Sequence, residues 1–103
     1  MLKSSLYDYC GHGIGTDMHQ LPYILHFEND YPGIMRTSMS ASLCEFEFAV
    51  DETFTIEPII VEHSNSVYID KDGWTVRTKD GGRAAQIEHT ILVTDDGCEV
   101  LTA

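Results

Sequence analysis

Phe54-Thr55-Ile56-Glu57-Pro58-Ile59-Ile60-Val61 decides how the chain is read. β-branched and aromatic residues dominate it, the composition of a strand on a pleated, half-buried surface. Two residues break the pattern. Pro58 has no N–H to give to a ladder, which predicts a sheet edge or a bulge. Glu57 is a carboxylate set in an apolar run, and carboxylates are almost never buried without a partner. A solvated strand face would accommodate it, and so would a buried position facing an arginine or a metal cation. Glu88 repeats the problem between Ile87 and Thr90-Ile91-Leu92-Val93. The chain has only three arginines and three lysines, so a metal gains weight as the common partner.

Outward from that stretch the signals are those of strands and tight turns. Ile91-Leu92-Val93 runs into Asp95-Asp96-Gly97, which predicts a hairpin with Cys98-Glu99-Val100-Leu101. Val67-Tyr68-Ile69 is a short strand, Asp70-Lys71-Asp72-Gly73 a turn into Trp74-Thr75-Val76-Arg77-Thr78, and Lys79-Asp80-Gly81-Gly82 another turn. The Asp70 turn resembles the start of a calcium loop, but its glycine comes too early and no glutamate closes it. Upstream, Cys44, Phe46, Phe48 and Val50 alternate with Glu45, Glu47, Ala49 and Asp51, the period of a half-buried strand. Asn29-Asp30-Tyr31-Pro32-Gly33 is a turn cluster, and Gln20 to Phe27, with Pro22, is irregular chain or a short edge strand. Gly11-His12-Gly13-Ile14-Gly15 is too glycine-rich for a helix. Its glycines permit close backbone approach and leave the His12 ring free to face a cavity, as ligand or as structural residue. His26 and His63 fall in expected loops with no partner pattern, and His89, next to Glu88 on a strand, points to the opposite face.

Composition bounds the function. One hundred and three residues make one small domain, and 43% hydrophobic residues allow a core. A net charge of -11 argues against nucleic acid and against anionic membranes, both of which need clustered positive charge. No apolar run is long enough for a membrane span and no secretory signal opens the chain. Three scattered cysteines fit reduced thiols in the cytoplasm better than a disulfide framework. The β-rich pattern lacks helices to cover its apolar face, an incomplete layer architecture.

Taken in order, Tyr9-Cys10-Gly11-His12-Gly13-Ile14-Gly15, His19, Phe54-Thr55-Ile56-Glu57-Pro58, Asp72-Gly73-Trp74-Thr75-Val76, Ala85-Gln86-Ile87-Glu88-His89-Thr90 and Asp96-Gly97-Cys98-Glu99-Val100-Leu101-Thr102 resemble the C-terminal half of the type I methionine aminopeptidases. These are pita-bread metallopeptidases, and the resemblance covers residues 7–35 and 53–102. It implies an α+β pita-bread (creatinase/aminopeptidase-like) domain over 1–103, mostly antiparallel β in this chain. It implies two divalent metal ions (Co, Mn, Fe or Zn) held in part by His12, Glu57 and Glu88. Glu57 and His19 are then the catalytic residues: Glu57 takes the proton of the attacking water and His19 hydrogen-bonds the developing tetrahedral species. Trp74 lines the pocket for the methionine side chain, Met18 reshapes it, Cys10 is a small buried residue or a wall of that pocket, and Gln86 stands behind the ligands at most.

The family pattern is not fully met. Both aspartate ligands are missing, since Asp8 and Asp17 match neither. Met18 replaces a phenylalanine, and residues 36–52 match nothing in the family. The expectation is therefore a metalloaminopeptidase-like hydrolase acting on peptides with a free α-amino group, weakly active or inactive alone. The alternative is a non-catalytic remnant or partner-dependent module, completed by an N-terminal half.

Overall fold

The computed structural model describes residues 4–30 and 51–103. Over these residues the chain forms ten strands and no helix: β1 (Ser4–Ser5), β2 (Gly11–Gly13), β3 (Gln20–Ile24), β4 (Thr53–Ile56), β5 (Ile59–Val61), β6 (Val67–Ile69), β7 (Val76–Thr78), β8 (Ala84–Gln86), β9 (His89–Thr94) and β10 (Gly97–Val100). A five-stranded sheet has the order β10-β9-β4-β2-β3, a three-stranded sheet the order β1-β5-β8, and β6 pairs with β7. Every pairing is antiparallel.

Pro58 does not lie at a sheet edge. It divides the decisive stretch into β4 and β5, each an interior strand of its own sheet. The missing N–H interrupts the ladder at one point, and the chain passes from one sheet to the other there. The arm paired with it breaks at the same place, between β8 and β9. Register survives the break: Ile56 pairs with His89 before it and Ile59 with Gln86 after it. Glu57 and Pro58 therefore stand opposite Glu88 and Ile87.

Other sequence expectations fall where turn chemistry put them. The hairpin at Asp95-Asp96 closes on the Thr94–Gly97 pair. The Asp72 carboxylate accepts the N–H groups of Trp74 and Thr75 at 2.9 and 2.8 Å, an Asx turn between β6 and β7. β3 is an edge strand and tolerates Pro22 there. Gly11-His12-Gly13, excluded as helix, is strand β2. It lies so close to β4 that a Cβ on Gly11 would fall 2.1 Å from the Thr55 carbonyl oxygen. The strand expected from Cys44 to Asp51 lies outside the described residues except for Asp51, which occupies a turn with φ 69°. The Asn29–Gly33 turn and the unmatched segment 36–52 lie largely outside them as well.

The core is thin. Among the described residues Leu6, Phe54, Val61 and Ile91 are the buried hydrophobic side chains, with Thr55 the buried polar one. Ile69 on β6 is exposed, as are Ile87 in the break between β8 and β9 and Leu101 just after β10. The outer end of β5 is clasped to β8 by charge. Arg83 Nη2 and Nε donate to Glu62 Oε1 and Oε2 at 2.8 and 3.0 Å, a bidentate pair. These hydrogen bonds hold the Glu62 carboxyl down at about 2.

Two outcomes check this packing. Gly11→Ala forces β2 off β4, and urea unfolding should show a loss on the order of 1–3 kcal/mol, the range for overpacking. An NMR titration should place the Glu62 carboxyl near 2, and Arg83→Ala should return it to the ordinary glutamate range. Because the folded value is depressed, the clasp stabilises above the ordinary carboxylate pKa and is lost as pH falls towards about 2.

Candidate metal centre

The break between β4 and β5 leaves Glu57 half-buried at the end of the five-stranded sheet, beside β2. Thr55, two residues earlier, lies on the same face of the strand and is fully buried. Its hydroxyl accepts the His12 backbone N–H at 3.0 Å and gives its own proton to Glu57 Oε1 at 3.0 Å. One hydroxyl thus fixes the backbone of His12 and the carboxylate of Glu57 together.

The His12 ring completes the contact. Its Nδ1 lies 3.0 Å from the Gly13 carbonyl, which accepts a proton and so places that proton on Nδ1. Nε2 then faces Glu57 Oε1 at 3.3 Å. Two lone pairs at that separation repel unless a proton or a cation lies between them. On the far side, Gln86 donates its amide to Glu57 Oε2 at 3.3 Å and to the Glu57 carbonyl at 3.4 Å. His19 stacks near His12, with ring centroids 4.5 Å apart and planes tilted by 59°.

Of the residues named from sequence, the structure brings together His12, His19 and Glu57, with Gln86 behind them. Glu88 is opposite Glu57 by register, but its side chain is exposed. Cys10 is half-buried, its thiol pushed up by burial and then by the negative charge of Glu57. Met18 is 71% exposed, and Trp74, on the turn between β6 and β7, is 87% exposed. A cavity of about 430 Å³ opens between the three-stranded sheet and the β6–β7 pair, lined by Leu6, Tyr9, Ile59 and Val67 among others. None of Cys10, Met18 and Trp74 lines it. A pocket at Trp74 needs walls from beyond the described residues.

Two residues that sequence reading did not place also belong here. Thr55 carried a signal, since the period of a strand puts it on the face of Glu57. His26, expected to be an unpartnered loop residue, is partnered: its Nε2 accepts the Glu57 backbone N–H at 3.1 Å. Burial lowers the pKa of His26, with the Glu57 charge acting against it. Nothing local in sequence signals a contact across thirty-one positions. His89 bonds Thr102 Oγ1 at 3.2 Å, away from the site.

A divalent cation fits this arrangement in donor type. An imidazole nitrogen faces a carboxylate across a gap that asks for positive charge, and a second carboxylate stands opposite in register. Imidazole and hard oxygen donors suit Mn, Fe, Co or Zn. In number the set falls short: among the described residues no three His, Cys, Asp or Glu side chains are grouped to hold a metal ion.

The profile of metallopeptidase family M24 matches residues 2–95, and the chain belongs to that family. Its relatives there are methionine aminopeptidases. It is 45% identical over 95 residues to that of Buchnera aphidicola subsp. Schizaphis graminum, and 43% identical over 96 residues to that of Escherichia coli strain K12. Each alignment covers 92% of this chain and 31% of the relative. The solved methionine aminopeptidase of Rickettsia prowazekii superposes with a TM-score of 0.76 at 38% identity, over 97% of this chain and 36% of that one. For the Thermotoga maritima enzyme the TM-score is 0.77 at 36% identity, over 95% of this chain and 34% of that one. The fold is that part of the pita-bread domain, and the match is to the C-terminal part of the relatives. The chain spans about a third of their length.

Thr55→Val removes the hydroxyl and keeps the shape. It leaves the His12 N–H without its partner, so denaturant unfolding should show a loss of about 1–3 kcal/mol, the cost of an unsatisfied buried donor. Thr55→Ser, which keeps the hydroxyl, should lose clearly less.

Proposed function

We propose that this chain contributes part of a methionine aminopeptidase site, for hydrolytic removal of the N-terminal methionine from peptides with a free α-amino group. The observation that carries the reading is the His12–Glu57 contact, set opposite Glu88, in a chain whose relatives are methionine aminopeptidases. His12, Glu57 and Glu88 would hold divalent metal. Such ions, when bound, supply Lewis-acid activation of water and of the peptide carbonyl. Glu57, already a hydrogen-bond acceptor at both oxygens, is the base that takes the proton of the attacking water. His19, beside His12, donates to the carbonyl oxygen as charge develops on it. Cys10, Met18 and Trp74 take the methionine side chain once further residues wall that pocket.

With two aspartate ligands missing, the chain alone binds metal weakly and turns over little or no peptide. Loss of groups that merely support a metal ligand costs about ten- to a hundredfold in affinity, and loss of ligands costs more. A complementing N-terminal segment is the partner this reading requires. Free thiols at Cys10 and Cys98 suit a cytoplasmic setting, and no described helix is long and apolar enough to cross a membrane. A second reading, a non-catalytic module that acts by docking to a partner, is favoured by the thin core and the exposed Ile69, Ile87 and Leu101.

One experiment separates the two. The chain is assayed with Mn²⁺ for methionine release from Met-Ala-Ser, alone and mixed with the N-terminal two-thirds of the Escherichia coli relative. The expected result is little turnover alone, a gain on mixing, and loss of that gain in Glu57→Gln. A stable complex without turnover supports the docking module, and turnover by the chain alone at the rate of an intact enzyme overturns the incompleteness.

A further inference from the structure

We infer that His26 is a positioning residue of the metal centre: by accepting the Glu57 backbone N–H it fixes the direction in which the Glu57 carboxylate projects. The inference rests on the reading of Glu57 as a metal ligand. Glu57 occupies the break in the ladder, immediately after the last pair of β4, Ile56 with His89. Its N–H reaches instead to His26 Nε2 at 3.1 Å. His26 lies two residues past the end of β3, on a half-buried ring, so the edge of the sheet is tied to the break by one hydrogen bond. A nitrogen that accepts carries no proton, so the His26 proton is on Nδ1.

The division of labour around Glu57 makes this bond distinct. Thr55 and His12 act on Oε1, and Gln86 acts on Oε2 and on the carbonyl. His26 alone among the described residues is bonded to the N–H, the group on the φ side of the residue. Pro58 fixes the φ that follows. With its backbone held before and behind, the Cα–Cβ bond of Glu57 has one direction, towards His12. Without His26 the Glu57 N–H loses its partner and the peptide just beyond the Ile56–His89 pair is held less firmly, so the carboxylate loses its aim while its own chemistry is unchanged.

The test uses the full chain as wild type, His26→Gln and His26→Phe. Glutamine offers an acceptor near the reach of Nε2, whereas phenylalanine keeps a ring with none. Two quantities are read by NMR: hydrogen exchange at the Glu57 amide, and the Mn²⁺ concentration that broadens the His12 ring signals. In His26→Phe the Glu57 amide should exchange about tenfold faster or more while the Val61 and Ile91 amides keep their protection. The Mn²⁺ needed should rise about ten- to a hundredfold, the cost of removing a group that orients a ligand. His26→Gln should stay close to wild type in both. Unchanged Glu57 exchange in His26→Phe overturns the proposal, as does unchanged Mn²⁺ demand. Equal losses in both variants, with the Val61 and Ile91 amides also exposed, overturn it in favour of a general packing role. No broadening in the wild type overturns the metal reading itself, and Glu57 exchange then still decides whether His26 holds that residue.

Discussion

The missing N–H of Pro58 is the constraint on which the rest depends. A proline inside an antiparallel ladder removes one donor, and here the chain responds by parting rather than bulging. The two long arms, residues 53–61 and 84–94, separate into two sheets at that point yet resume pairing in the same register. The parting creates a short length of backbone whose polar groups have no ladder partners. His26 and Gln86 take those of Glu57. Interrupted pairing, usually a loss, is here what opens a space for side-chain chemistry.

Within that space charge is the organising problem. Glu57 and Glu88 stand opposite each other by register across the break, where the ladder is interrupted and neither belongs to a strand pair. The chain is strongly acidic overall, with a net charge of -11, so no general positive field relieves them. What holds Glu57 is local: the Thr55 hydroxyl donates to Oε1 and the Gln86 amide to Oε2, while His12 Nε2 at 3.3 Å leaves a gap that asks for positive charge. That is enough to keep one carboxylate in place, and it leaves the second facing solvent. The same arrangement explains why the donor types suit a divalent cation while the described residues do not group three ligands.

Much of the fold was legible because it is local. The apolar strand run Ile91-Leu92-Val93, the Asp95-Asp96-Gly97 turn and the turn at Asp72 are set by neighbours in sequence, and the structure has them in place. The role of Pro58 was half legible: its missing donor forbade a continuous ladder, but whether the result is an edge or a division depends on what packs on either side. The site was legible only through its charged members. Thr55 reads as an ordinary strand residue until β2 is known to lie against it, and that approach is decided by Gly11. His26 could not be found at all, since a ring accepting a backbone donor thirty-one positions away follows from the path of the chain and not from residue type. Trp74 shows the converse: its motif stood out in sequence, yet its side chain is 87% exposed.

Preserved register across a divided sheet has an evolutionary corollary. Inserting or deleting a single amino acid in either arm would invert the pleat beyond it and turn one of the opposed carboxylates to the wrong side. The excursion between Glu62 and Arg83 is exempt. It leaves and returns through the same clasped pair, so a change in its length does not shift the register in which Glu57 and Glu88 stand opposite each other. Changes of length should therefore be tolerated in that appendage outside the Asp72–Trp74 turn, while the arms keep their count.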